Sequence, residues 1–142
     1  MATPPFKLAG IDHVVLRAQD IDKMLAFYVD VLGCTLEKVQ EQFGLYQLRA
    51  GHSLIDLIPV SGPLGKLGGA PPGKEGRNLD HLCLRIDTSR AFDGEALRSY
   101  LIAKGAQPGM VESRYGAEGQ GPSIYVSDPE GNVVELKGPA AP

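Results

Sequence analysis

The chain writes one strand-like phrase twice: IDHVVLR at residues 11–17 and LDHLCLR at residues 79–85. Both alternate in polarity and are rich in apolar residues, the pattern of a half-buried strand. A repeated unit of this kind restricts the fold, because one copy alone leaves a sheet face bare and two copies must pack together. The length of 142 residues suits one domain around one core.

Each phrase opens the same sequel. QDIDKMLAFYVDVLG, at 19–33, places Ile21, Met24, Leu25, Tyr28 and Leu32 at helical spacing, with Asp20 as N-cap and Gly33 as stop. TLEKVQ, GLYQLRA and SLIDLIPV then read as strands, the last two joined tightly by AGH. The second copy continues with a helix around FDGEALRSYLIAKG. Leu97, Tyr100 and Leu101 mark its buried stripe and Gly105 its end. PGMVES, PSIYVS and NVVELKG follow as strands. SDPEGN lies between the last two, with Asp128, Pro129 and Gly131 at positions a type I turn favours.

Between the halves, SGPLGKLGGAPPGKEGRN at 61–78 holds six glycines and three prolines and reads as a linker or mobile loop. The expectation is one domain over 1–142 in the α+β class, with a strand, a helix and three strands in each of two modules at 10–60 and 79–138.

Strand alternation assigns faces. Val14 and Leu16, with Leu82 and Leu84, suit the helix side. His13, Val15 and Arg17 then share the opposite face, as do His81, Cys83 and Arg85. In SLIDLIPV, Ile55 and Leu57 are the helix-side pair, which leaves Asp56 opposite; in NVVELKG, Val134 and Leu136 leave Glu135. Each half thus offers one imidazole and one carboxylate from separate strands. Either histidine alone reads as a half-buried, hydrogen-bonded strand residue. Four such groups at equivalent places, on strands where an unpaired carboxylate costs several kcal/mol, point to a divalent-metal site.

Other signals exclude functions. A net charge of −3 gives no electrostatic reason to approach nucleic acid or an anionic membrane. No apolar run approaches the roughly 20 residues of a membrane span, and MATPPFKLAG does not read as a signal peptide. Cys34 and Cys83 form no CxxC pair, so a cytoplasmic protein with reduced thiols is expected. GGAPPGKE has the spacing of a phosphate-binding loop, but Glu75 stands where Ser or Thr is required and Pro71 and Pro72 lack backbone donors.

The two IDH-type openings, the paired helix-then-strands plan and the ending SIYVSDPEGNVVEL closely resemble the vicinal oxygen chelate superfamily, over residues 10–137. That group includes glyoxalase I, bleomycin and fosfomycin resistance proteins, extradiol dioxygenases and methylmalonyl-CoA epimerase. The resemblance implies two βαβββ modules in tandem forming a curved mixed sheet around a metal, with ligands from the first and last strand of each: His13, Asp56, His81 and Glu135. Asp56 departs from the longer Glu or Gln of glyoxalases and epimerases.

The implied activity is that of a metal-dependent lyase or isomerase of the glyoxalase I type, acting on a small substrate that chelates through adjacent oxygens. Zinc, nickel, cobalt, manganese or iron would serve as Lewis acid, with Glu135 or Asp56 as general base. The alternatives are a ring-cleaving dioxygenase with iron on His13, His81 and Glu135, or a non-catalytic antibiotic-binding protein. Tyr125, Cys83 and Arg114 are candidate substrate contacts. Cys83 reads more readily as a buried inert thiol, Arg114 and Tyr115 as residues of the loop ESRYGAEGQGP, and His52 as a surface residue. The resemblance also implies a homodimer whose sites draw on both chains.

Overall fold

Both histidine phrases become strands that pair in parallel with the last strand of their own half. The computed structural model describes residues 2–141. Its elements are β1 (His13–Ala18), α1 (Ile21–Leu25), β2 (Thr35–Gln40), β3 (Leu45–Ala50), β4 (Ser53–Pro59), β5 (His81–Arg85), α2 (Gly94–Ala103), β6 (Glu112–Gly116), β7 (Gly119–Ser127) and β8 (Val133–Lys137). The strands form two four-stranded sheets, ordered β1-β4-β3-β2 and β5-β8-β7-β6. The outer pairs β1/β4 and β5/β8 are parallel and the rest antiparallel. Parallel neighbours need a crossover, which the helix and two intervening strands of each half provide.

Asp20 caps α1 by accepting a hydrogen bond from the Lys23 amide at 3.1 Å, and Asp93 caps α2 through the Ala96 amide at 3.0 Å. After Leu25 the first helix widens into a π-helical stretch, Ala26–Val31, with the Leu32 amide reaching back to the Phe27 carbonyl at 3.0 Å. The second helix starts only after Asp93. Its Tyr100 is 42% exposed rather than part of the buried stripe, because its hydroxyl reaches the Val31 carbonyl at 2.7 Å.

Two expected boundaries move. The strand read at 108–113 is β6, at Glu112–Gly116. Residues before it are occupied otherwise: the Gly109 amide donates to Tyr125 and its carbonyl accepts from Arg98. Gly116 pairs with Gly119 across a two-residue hairpin turn, so much of the expected loop is β-ribbon and Arg114 and Tyr115 are strand residues.

The core lies on the helix side of both sheets as one cluster. Met24, Tyr28, Ile55 and Leu57 from the first half meet Leu101, Ile124 and Val134 from the second. Tyr28 ties the halves together: its hydroxyl donates to Oδ2 of Asp128 at 2.9 Å in a buried site. Glu130, in the same turn, accepts from the amides of Gln19 and Asp20 at 2.8 and 2.9 Å. The halves therefore join through their helix sides. The opposite sheet faces turn outward, where Val15 is 43% exposed and Cys83 is also exposed. Among the described residues, no helix is long and apolar enough to cross a membrane.

Candidate functional site

The outward faces carry the candidate residues in register. On the first sheet, His13 sits opposite Leu54 and Asp56 lies between Val15 and Gln47. On the second, His81 sits opposite Val133 and Glu135 lies between Cys83 and Tyr125. The assignment of Ile55, Leu57, Val134 and Leu136 to the core side agrees with their burial.

Each histidine is oriented by the aspartate before it. His13 Nδ1 lies 2.6 Å from Asp12 Oδ1, and His81 Nδ1 lies 2.8 Å from Asp80 Oδ2. A carboxylate accepts only, so Nδ1 donates in each pair, and in a neutral ring Nε2 is then the nitrogen that carries the lone pair. The bond to Asp12 is also the main cause that holds the His13 imidazole above its ordinary pKa, with smaller support from Asp56. Sequence reasoning passed over these aspartates, although the Asp-His pair stands in both copies of the phrase.

The carboxylates are buried on faces that are otherwise open: Asp56 is 3% exposed and Glu135 5%. Gln47 donates to Asp56 Oδ2 at 3.4 Å, and Gln40 holds Gln47 in turn at 2.8 Å. Asp56 Oδ1 is buried with no hydrogen-bond partner among the described residues. Burial pushes the Asp56 pKa upward, against the opposing pull of Gln47 and His13. Glu135 Oε1 lies 3.5 Å from His81 Nε2, and Oε2 lies 3.5 Å from the Cys83 sulfur. With Nδ1 of His81 committed to Asp80, the facing nitrogen and oxygen are two acceptors unless a proton or a metal cation lies between them.

The other substrate candidates gather around Glu135. The Tyr125 ring meets His81 edge-to-face at 5.4 Å, and the Arg114 guanidinium lies 4.2 Å above that ring. Arg114 is fixed by Ser123 at 2.9 Å and by Glu112 at 2.9 Å. Burial and then Glu135 raise the Tyr125 pKa. Cys83 is exposed, not buried as expected, since the face it occupies is uncovered in one chain. Its thiol is nonetheless pushed up to about 11, chiefly by desolvation and then by Glu135. His52 lies exposed in the turn before β4.

The residue types suit a divalent cation. Two ligands on a tetrahedral zinc stand about 3.4 Å apart, close to the 3.5 Å between His81 and Glu135. The unpartnered oxygen of Asp56 is the kind of buried acceptor a cation satisfies. Yet no three His, Cys, Asp or Glu side chains cluster tightly enough to hold a metal among the described residues. The chain pairs His13 with Asp56 and His81 with Glu135, and it does not bring the two pairs together. Within one chain the two pairs stand on separate sheets, which pack through their helix sides.

Two parallel-edged four-stranded sheets, each carrying a histidine on its first strand and a carboxylate on its last, define a duplicated βαβββ protein. The chain belongs to the Glyoxalase/Bleomycin resistance protein/Dioxygenase superfamily, whose model matches residues 10–136. It is 25% identical over 142 residues to the mitochondrial methylmalonyl-CoA epimerase of Mus musculus, covering 96% of this chain and 76% of the mouse protein. It is 28% identical over 131 residues to virulence protein STM3117 of Salmonella typhimurium strain LT2, covering 89% and 81% of the two chains. Among solved structures, integron cassette protein VPC_CASS1 from V. Pseudocholerae superposes with a TM-score of 0.75 at 27% identity, covering 96% of this chain and 98% of that one.

Proposed function

We propose that the protein is a divalent-metal-dependent enzyme that moves a proton on a carbon beside a carbonyl, in the lyase or isomerase class of glyoxalase I. Two copies of the chain would complete its site, the His13–Asp56 pair of one meeting the His81–Glu135 pair of the other. The observation that carries this reading is the repeat of an oriented histidine and a buried carboxylate on each outward face. Similarity to a protein named as an epimerase supports proton transfer at carbon.

His13, Asp56, His81 and Glu135 would hold the ion. When bound, it supplies Lewis acidity that polarises a substrate carbonyl and acidifies the neighbouring C–H. Asp12 and Asp80 keep the imidazoles in the tautomer that presents Nε2. Asp56 and Glu135 are the candidate bases. Asp56 would take the proton at Oδ1, the oxygen without a partner, when that oxygen is not holding the ion. Tyr125 and Arg114 flank Glu135 and would orient the substrate.

The test is elemental analysis of the purified protein, followed by proton exchange in deuterated water with the metal restored. Methylmalonyl-CoA and the methylglyoxal–glutathione hemithioacetal are the probes. Bound divalent metal and exchange on one probe, both lost in His81→Ala, are expected. A protein that retains no metal and exchanges neither probe contradicts the proposal. Oxygen uptake with a catechol would replace it by the dioxygenase, and metal-free ligand binding by the binding protein.

A further inference from the structure

Arg17 belongs to the repeated phrase, lies on the His13 face, and has no part in the chemistry above. Its guanidinium is enclosed by main-chain carbonyls of the linker. Nε donates to Gly65 at 2.9 Å, and one terminal nitrogen donates to Gly68 at 3.2 Å and to Ala70 at 3.1 Å. The other terminal nitrogen donates to Gly69. No carboxylate pairs with Arg17 among the described residues. Its repeat partner Arg85 also fastens a loop of its own half, through Glu118.

Glycine makes this approach feasible. A Cβ on Gly68 would lie 2.6 Å from the Arg17 guanidinium carbon, and one on Gly65 would lie 1.8 Å from the Pro59 carbonyl. Gly69 has φ of 74°, the region that favours glycine. The composition that read as mobility serves close packing here. The first part of the linker then crosses one end of the first sheet. The Leu64 amide meets the Phe43 carbonyl at 3.4 Å beside the turn into β3, and the Gly62 amide meets Pro59 at 2.9 Å at the end of β4. Arg17 anchors it at the end of β1, opposite Ile58, two residues along the strand from Asp56.

We propose that residues 61–70, latched by Arg17, form a fixed end wall of the candidate site and limit the length of the substrate arm it accepts. The inference rests on the metal-site reading above. The wall's carbonyls at 65 and 68–70 are spent on Arg17, so it offers few acceptors and suits a short apolar arm over a polar one. Arg17 is a positioning residue, not a catalytic one.

Two variants attack the latch from opposite sides: Arg17→Leu removes the donors, and Gly68→Ala intrudes on the guanidinium. Exposed Lys66 lies within the wall and reports its closure to trypsin. Both variants should be cut after Lys66 faster than wild type by at least about tenfold, as local opening becomes easier. The second measurement is the affinity of zinc-loaded protein for alkyl hydroxamates from acetohydroxamate to octanohydroxamate, which chelate through adjacent oxygens. In wild type, affinity should stop rising at a short chain; in both variants it should keep rising with length. Unchanged cleavage overturns the latch. Faster cleavage with an unaltered chain-length profile overturns the wall. If wild-type protein takes up no zinc, the metal reading falls and the wall with it, while the cleavage rates still decide the latch.

Discussion

At Asp56, a carboxylate 3% exposed keeps one oxygen without a hydrogen-bond partner and the other on a 3.4 Å contact from Gln47. An unsatisfied buried acceptor is destabilising, and the upward-shifted pKa expresses that cost as a function of pH. A folded-state pKa above the unfolded value, about 3.9, means that the folded form binds the proton more tightly. Stability is then fullest below the unfolded pKa and falls as pH rises through the folded one. Asp56→Asn should therefore stabilise metal-free protein at pH 8 by about 1–2 kcal/mol, with the gain shrinking toward pH 4, in thermal melts across that range. The same variant should bind zinc at least about tenfold more weakly, since the ligand charge is gone. Cys83 gives an independent check. With its pKa pushed up to about 11 it is protonated at pH 7.5, so iodoacetamide should label it more than about tenfold slower than a free thiol.

The elements were legible wherever local pattern and burial agreed. Asp20 caps its helix and Gly33 ends it with φ of 81°; the alternation of SLIDLIPV and NVVELKG assigned Asp56 and Glu135 to their observed face. What was not legible arises from distant contacts. Nothing in AFYVDV marks a π-helical stretch, and Tyr28 within it is fixed by Asp128, 100 residues away. The linker's order depends on Arg17, about fifty residues distant, so its glycines read as freedom. Arg114 and Tyr115 entered a strand because the glycines at 116 and 119 close a tight hairpin. At this scale, Tyr28→Phe should cost about 1–3 kcal/mol by removing a buried bond to a carboxylate. Asp128 keeps its bonds to Glu130 and Asn132, so chemical denaturation should show a lower midpoint with an unchanged slope.

Across the whole molecule, one core on the helix side of both sheets leaves two histidine faces open. Exposed Ile11 and Val15 lie on or beside the first of them. The repeat in the sequence pointed to the four candidate ligands but not to how the halves sit, because the same alternation fits sheets that face each other and sheets that face away. Helix-side packing, with Tyr28 and Glu130 as its polar ties, decides for the latter. On the reading proposed above a second copy would supply what one chain separates, and sedimentation should then find a dimer at micromolar concentration. The most direct measurement mixes two inactive variants, His13→Ala and His81→Ala, after joint unfolding and refolding. Sites shared across a two-fold interface should regain about a quarter of wild-type zinc binding, since half the dimers are mixed and each carries one intact site. Recovery of none, from variants that refold and each lack zinc on their own, would contradict a site built from two chains.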